Sequence, residues 1–226
     1  MYTESVRIAE RYERRKQNAI ANKNSLNYCY DHYAQMERAK VYHQIVKKRF
    51  NNADKITLME IGAGTGVNLT MFKEMGLNWS NIHANELLDD RVEVLKEKFH
   101  GITVYPGDIL DLNTSAQFDI VLISTVFSSI LDMAYRQKVA LKAWSLAKTG
   151  GIIICYDFIY NNPRNKDVRG VPPSDFKRLF PMEAQLIFRS VTLAPPIGRI
   201  TGKLYSLFNA LHFLRTHTIV EIKKES

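Results

Sequence analysis

Three glycines alternate in the stretch "MEIGAGTG", at Gly62, Gly64 and Gly66, and Glu60 ends the apolar run before them. A glycine-rich turn straight after a strand lets a ligand lie against backbone that a side chain would hold away. The dinucleotide fingerprint, G-x-G-x-x-G, seats a pyrophosphate on a helix N-terminus. Here the third glycine comes one residue early and Val67 stands in its place. Glu60 puts a negative charge where a pyrophosphate would approach, so the turn suits a nucleotide whose far end carries an amino or sulfonium charge. Glu86, 20 residues after Gly66, closes "NIHANE", where a carboxylate can accept from both hydroxyls of a ribose. Asp108 in "YPGDIL" follows a third apolar run and can accept from an adenine amino group. A single acid in a turn is ordinary. Three at the ends of successive runs beside a glycine turn form a nucleotide site.

The elements that must position these acids are short apolar runs: "ITLMEI", "NIHANE", "ITVY", "FDIVLIS", "GIIICYDF", "AQLIFRSVTL" and "HTIVEIK". Amphipathic stretches separate them. In "DDRVEVLKEKF" Val92, Leu95 and Phe99 share a face and Asp89 can cap, while "AYRQKVALKAWSLAK" is closed by "TGG" at 149–151. Strands alternating with helices predict an α/β fold with a mostly parallel sheet covered on both faces. Before them, residues 1–24 read as a charged helix with little to bury. Met36, Ala39, His43, Val46 and Phe50 mark the apolar face of a second helix. The expected organisation is a helical extension over 1–50 and a ligand-binding domain over 51–226.

Composition bounds the partners. In 226 residues, 46% hydrophobic, 31 Lys and Arg face 23 Asp and Glu, a net charge of +8. That excess suits an anionic partner, whether a phosphorylated substrate, RNA or an acidic membrane surface, and is also common among soluble enzymes. The two cysteines, Cys29 and Cys155, have no metal or disulfide spacing. The charged N-terminus holds no signal core and no apolar run is long enough for a membrane span, so a cytoplasmic protein is expected.

At these motifs the sequence resembles the class I S-adenosylmethionine-dependent methyltransferases. "MEIGAGTG" is similar to the family's glycine loop, with Glu60 in its acidic position and Gly62, Ala63, Gly64 and Gly66 around the cofactor. "ANELL" is similar to the ribose-binding strand end (Glu86, Leu87), and "GDI" to the adenine-contacting turn (Asp108, Ile109). "FDIVLISTVFSSILD" is similar to the fourth strand and its loop, with Ser124 at the strand end, and "LAKTGGIIICYDF" to the fifth. The resemblance implies a Rossmann-like seven-stranded sheet ordered 3-2-1-4-5-7-6, only the seventh strand antiparallel, with S-adenosyl-L-methionine as cofactor and no metal. A narrower likeness, through "DFIYNNPRNKDVRGV", "SVTLAPPIGR" and "FLRTHT", is to methyltransferases of bacterial surface-polysaccharide and sugar-modifying genes.

Methyl transfer from a sulfonium is an in-line displacement in which the protein mainly aligns the acceptor; a hydroxyl acceptor also benefits from a base. The implied topology brings the end of strand five, the end of six and the start of seven to the cofactor edge. His217 and Asp157 are the candidate bases, each with an equally good structural reading: a strand-start histidine, and a carboxylate holding a loop amide. Tyr160, Arg164, Arg169, Arg199 and Arg215, with Asn161 and Asn162, are candidate substrate ligands. Segments 160–183 and 197–215 are expected to form a lid; Leu204, Leu207, Phe208 and Leu211 give the second an apolar face, which an ordinary packing helix would also have. Tyr28, Tyr30 or Tyr33 can close the other side.

The expected activity is O-methylation of a small molecule such as a sugar, nucleotide-linked sugar or surface glycan. RNA methylation is the alternative raised by the net charge. Against it, the place after the fourth strand reads "ISTVFSS" rather than an N-P-P-Y-like motif, and no basic stripe with interleaved aromatics is present. A nicotinamide-dependent oxidoreductase fits the glycine spacing poorly, and a non-catalytic cofactor-binding module would leave a polar rim and lid without use.

Overall fold

The computed structural model of the protein describes residues 3–20, 25–162 and 165–225. Two helices come first, α1 (Glu4–Ile20) and α2 (Ser25–Arg49). The chain then runs through β1 (Leu58–Ile61), α3 (Val67–Glu74), β2 (Ile82–Glu86), α4 (Asp89–Lys98), β3 (Thr103–Pro106) and β4 (Phe118–Ser124). It continues with α5 (Met133–Leu146), β5 (Ala147–Phe158), α6 (Pro173–Leu179), β6 (Gln185–Leu193), α7 (Pro195–Thr201), α8 (Tyr205–Asn209) and β7 (Arg215–Lys223). The seven strands make one sheet in the order β3-β2-β1-β4-β5-β7-β6. All neighbours are parallel except that β7 runs antiparallel to both β5 and β6. This is the Rossmann-like arrangement expected of the strand pattern.

Continuous apolar runs form the central strands because successive side chains enter opposite faces and both faces are buried. Met59, Ile61, Val121, Ile123, Ile153 and Cys155 join the core under α5. Leu58, Ile120, Leu122, Ile152 and Ile154 alternate with them and pack with Tyr42, Ile45, Leu69 and Phe72 of α2 and α3. Each buried aliphatic side chain contributes about 2 kcal/mol from water exclusion.

Four local expectations need correcting. The buried face of α2 carries Tyr30, Ala34, Tyr42, Ile45 and Val46, whereas Met36 and His43 point to solvent. Val46, with Ala39 and Phe50 packed beside it, is on the core side as expected, but the buried face also takes in Glu37, which accepts from Thr192, Tyr205 and Asn209, and Arg38, which lies over Tyr156. Second, α5 stops at Leu146: Ala147 already pairs with Phe118, so Gly150 and Gly151 belong to the start of β5. There, a Cβ on Gly151 would lie 3.0 Å from the Asp119 carbonyl oxygen. Third, Leu88 takes the cap position of α4 and Asp89 falls in its first turn. Fourth, α1 is not a solvated arm. Glu4, Ile8 and Arg11 are buried, and Arg11 Nη2 donates to Glu4 Oε1 at 2.7 Å and to the Ser129 carbonyl at 2.9 Å. The contact surface of α1 is a paired acid and base, which no hydrophobic periodicity reports; removing one partner of such a pair costs about 3–5 kcal/mol.

Candidate functional site

At the carboxyl ends of β1, β2 and β4 lies a cleft of about 340 Å³, where parallel α/β sheets bind ligands. Gly62, Ala63, Gly64, Glu86, Leu87, Asp108, Ile109 and Ser124 all line it. Two of the three acids picked out of the sequence, Glu86 and Asp108, therefore meet the glycine turn at one place. Glu86 accepts from the Gly64 amide (2.7 Å) through Oε2 and from the Leu88 amide (3.0 Å) through Oε1. It thus braces the glycine turn and the entry to α4, with lone pairs left on both oxygens for hydroxyl donors. Asp108 accepts from the Leu110 amide and from the Tyr135 hydroxyl, the latter at 2.5 Å. The glycines differ in purpose. Gly66, at φ +81°, faces away from the cleft, and a Cβ there would lie 2.2 Å from Phe99. Gly64, at φ +59°, opens into the cleft with only Arg91 at 3.9 Å.

Glu60 is wholly buried next to the cleft, behind Asn68, which lines it. Asn68 Nδ2 donates to Glu60 Oε1 at 2.6 Å. Burial pushes the Glu60 carboxyl up to about 8, although the Asn68 hydrogen bond and the Arg38 charge pull the other way. Among the described residues, Glu60 Oε2, Asn68 Oδ1 and Arg38 Nε are buried without a hydrogen-bond partner. Unused acceptors beside an unused guanidinium donor match a group with both charges, an ammonium next to a carboxylate. Because the folded-state value lies above the ordinary 4.5, the empty protein loses stability as pH rises from about 4.5 to 8. Glu60→Gln is therefore expected to raise the melting temperature above pH 8 and leave it nearly unchanged below pH 4.5; a variant melting below the parent at pH 9 would contradict this assignment.

Residues that sequence reasoning missed close the cleft. Ile8 and Tyr12 of α1 and Arg38 of α2 line it together with Thr125, Val126 and Ser129. The Tyr12 ring lies between the guanidinium groups of Arg15 (4.7 Å) and Arg91 (4.5 Å), and its hydroxyl is 3.0 Å from Ser129 Oγ. Thr125, at the rim after β4, holds φ +57°, an unusual conformation for a β-branched residue. Tyr12 had no motif to mark it, and Arg38 was hidden because the apolar spacing of α2 reports only its apolar side chains.

Among the described residues proposed for the acceptor side, none lines this cleft. Asp157 is buried, and its carboxylate accepts from the Ser128 and Phe158 amides at 3.0 Å each. Burial raises it to about 6. Of its two readings, this geometry is that of the loop-holding one. His217 pairs with Phe158 and Val191 in the sheet and stacks on Tyr156 at 5.2 Å, next to Arg38, which lies over the other ring at 4.8 Å. Burial, with the Arg38 charge, lowers His217 to about 4, so it is neutral at pH 7 and a weak proton acceptor. Arg215 donates to the carbonyls of Asn209 and Ser190, holding α8 to β6. Arg199 is exposed on α7, while Tyr160 and Arg169 are exposed on the loop after β5. Arg164 lies outside the described residues. The arginines at the cleft are Arg38 and Arg91 instead.

The expected lid is likewise displaced. Among the described residues of 160–183 and 197–215 none lines the cleft, and α1 with α2 covers that side. Tyr30 donates to the Leu193 carbonyl and Tyr33 stacks on Tyr205, so both pack under the C-terminal segment. The side chain of Tyr28 lies outside the described residues.

Residues 59–155 match a family model described as a methyltransferase domain. No curated protein matches the chain's sequence. Among solved structures, a magnesium protoporphyrin IX methyltransferase from Synechocystis PCC 6803 with bound S-adenosylmethionine superposes with a TM-score of 0.69. It is 12% identical, over 100% of this chain and 99% of that one. A putative sarcosine dimethylglycine methyltransferase from Galdieria sulphuraria gives a TM-score of 0.61 at 12% identity, over 84% of each chain. A glycopeptide N-methyltransferase complexed with S-adenosyl-L-methionine gives 0.58 at 13%, over 83% of this chain and 87% of that one. At these identities the likeness is one of fold.

Proposed function

We propose that this chain is an S-adenosylmethionine-dependent methyltransferase and that it methylates a small hydroxyl-bearing acceptor of the sugar or nucleotide-linked sugar class. The observation that carries the acceptor's size is the wall made by α1. Ile8 and Tyr12 line the cleft, and the Tyr12 hydroxyl lies 3.0 Å from Ser129 Oγ, so α1 closes this side against an open track for a polymer. The hydroxyls of Tyr12, Ser129 and Thr125 give that space a polar lining suited to a polyol. The likeness of the C-terminal third to sugar-modifying methyltransferases supports the same class.

The cofactor fits the groups that this chain leaves unused. Glu60 and Asn68 would receive its ammonium and Arg38 its carboxylate, Glu86 its ribose hydroxyls, and Asp108 with Leu87 and Ile109 its adenine. When bound, S-adenosylmethionine supplies a sulfonium-activated methyl group for in-line displacement. The chain's own part is to hold and shield. Tyr135 steadies Asp108 through its hydroxyl, and Ile8 and Tyr12 keep bulk water from the reacting space. His217, lowered by burial, is a weak base at neutral pH, and Asp157, although raised to about 6, is buried, bound to two amides and does not line the cleft. Alignment, which can be worth several powers of ten in rate, is then the main contribution.

The test is transfer of labelled methyl groups from S-adenosylmethionine into an extract of the source cells lacking this protein, separated into small-molecule, RNA and protein fractions. Label in sugars or nucleotide-linked sugars is the expected result. Label confined to RNA or protein would overturn the acceptor assignment.

A further inference from the structure

We infer that the lobe between β6 and β7, residues 195–214, docks on the surface of an anionic lipid bilayer. Its inner side is fixed to the protein. Tyr205 and Asn209 are buried and donate to the two oxygens of Glu37 on α2, and Phe208 packs with them against Tyr30 and Leu193. Its outer side is apolar and uncovered. Leu204, Leu207 and Leu211 recur at spacings of three and four and are exposed, whereas Tyr205 is buried and Phe208 half-buried. Ile200 and Phe213 flank them, and exposure reaches 85% at Ile200, 67% at Leu207 and 79% at Phe213. Five large apolar side chains this exposed on one short lobe mark an interaction surface.

Charge identifies the partner. No acid occurs between Glu183 and Glu221, while Arg199 and Lys203 are exposed among the apolar residues. Neither forms a salt bridge among the described residues, although Asp31 of α2 lies near Arg199. Apolar side chains interleaved with cations and free of acids are what an interfacial lipid-binding segment needs, the net charge of +8 adding longer-range attraction. A second copy of this chain fits less well, because a twofold contact through the lobe would bring Lys203 and Arg199 against their own counterparts. A hydrophobic methyl acceptor fits less well too, since no lobe residue lines the cleft.

The test is flotation of the full chain with vesicles of phosphatidylglycerol in phosphatidylcholine, and with vesicles of phosphatidylcholine alone. Binding to the anionic vesicles is expected, with affinity reduced roughly tenfold or more in the double variant Leu207→Ser/Phe213→Ser. Lys203→Glu should weaken binding to the anionic vesicles, and Met182→Ser, at an exposed apolar residue outside the lobe, should not change it. All four positions are exposed, so thermal melting should stay that of the parent. No flotation of the parent, or flotation indifferent to the double variant, would overturn the inference. So would a dimer seen by light scattering that the double variant abolishes while vesicle binding persists.

Discussion

Glu86→Gln is expected to weaken S-adenosylmethionine binding by about a hundredfold, with the folded protein otherwise intact. The carboxylate already accepts from the Gly64 and Leu88 amides, one on each oxygen. The remaining lone pairs face the cleft, where two ribose hydroxyls would each form a charge-assisted bond worth about 1.5–3 kcal/mol. Glutamine keeps one acceptor oxygen and sets an NH₂ against a backbone N–H, so one ribose bond is lost and the turn loosens as well. Alanine would remove both backbone tethers and confound the two effects, which makes glutamine the cleaner probe. Calorimetric titration measures the change. Affinity within threefold of the parent would take Glu86 out of the ribose site.

Gly66→Ala is expected to cost about 3 kcal/mol or more of folding stability. Its φ of +81° is itself unfavourable for alanine, and the new methyl would sit 2.2 Å from one Phe99 ring atom and 3.0 Å from Leu95. Phe99 is buried under α4 and also packs against Trp79 at 5.4 Å, so it has little room to retreat. Gly64→Ala supplies the contrast. With nothing closer than 3.9 Å, it bears only the conformational penalty of about 1 kcal/mol. Its methyl projects into the cleft, so the loss there falls on ligand binding. Urea unfolding of both variants separates them, and equal midpoints would show that Gly66 is not a packing position.

The contrast also shows what was legible in the sequence. Alternation of apolar runs and helices gave the sheet, because strands buried on both faces write themselves as unbroken Val, Ile and Leu. The acids at the strand ends were legible because strand ends in a parallel sheet share one edge, so Glu86 and Asp108 had to fall beside the glycine turn. The glycines were visible, but their separate tasks were not, since Phe99 lies 33 residues from Gly66 and nothing local connects them. The cover of the cleft was misplaced for a different reason. Its helix docks through Glu4 and Arg11, which pair with each other, and Tyr12, which pairs with Ser129, and Ile8 is the one aliphatic side chain buried with them among the described residues. The arginine-rich rim failed similarly: charge is visible in a sequence, but whether Arg215 faces a ligand or two backbone carbonyls depends on packing that residue types do not record.

The order of the strands bears on how the chain is made. β7 follows β6 in synthesis yet lies between β5 and β6, hydrogen-bonded to both. While the ribosome is still adding the segment from Leu193 to Leu214, β5 has a bare edge and β6 has no neighbour in the sheet. An unpaired, apolar edge such as Ile152–Cys155 is open to pairing with another nascent chain. The half of the sheet that holds the nucleotide edge, β3-β2-β1-β4, can assemble early, whereas the half beside it waits for the seventh strand to slide into a prepared gap. That gap stays open until β7 itself has been made and can pair with both neighbours.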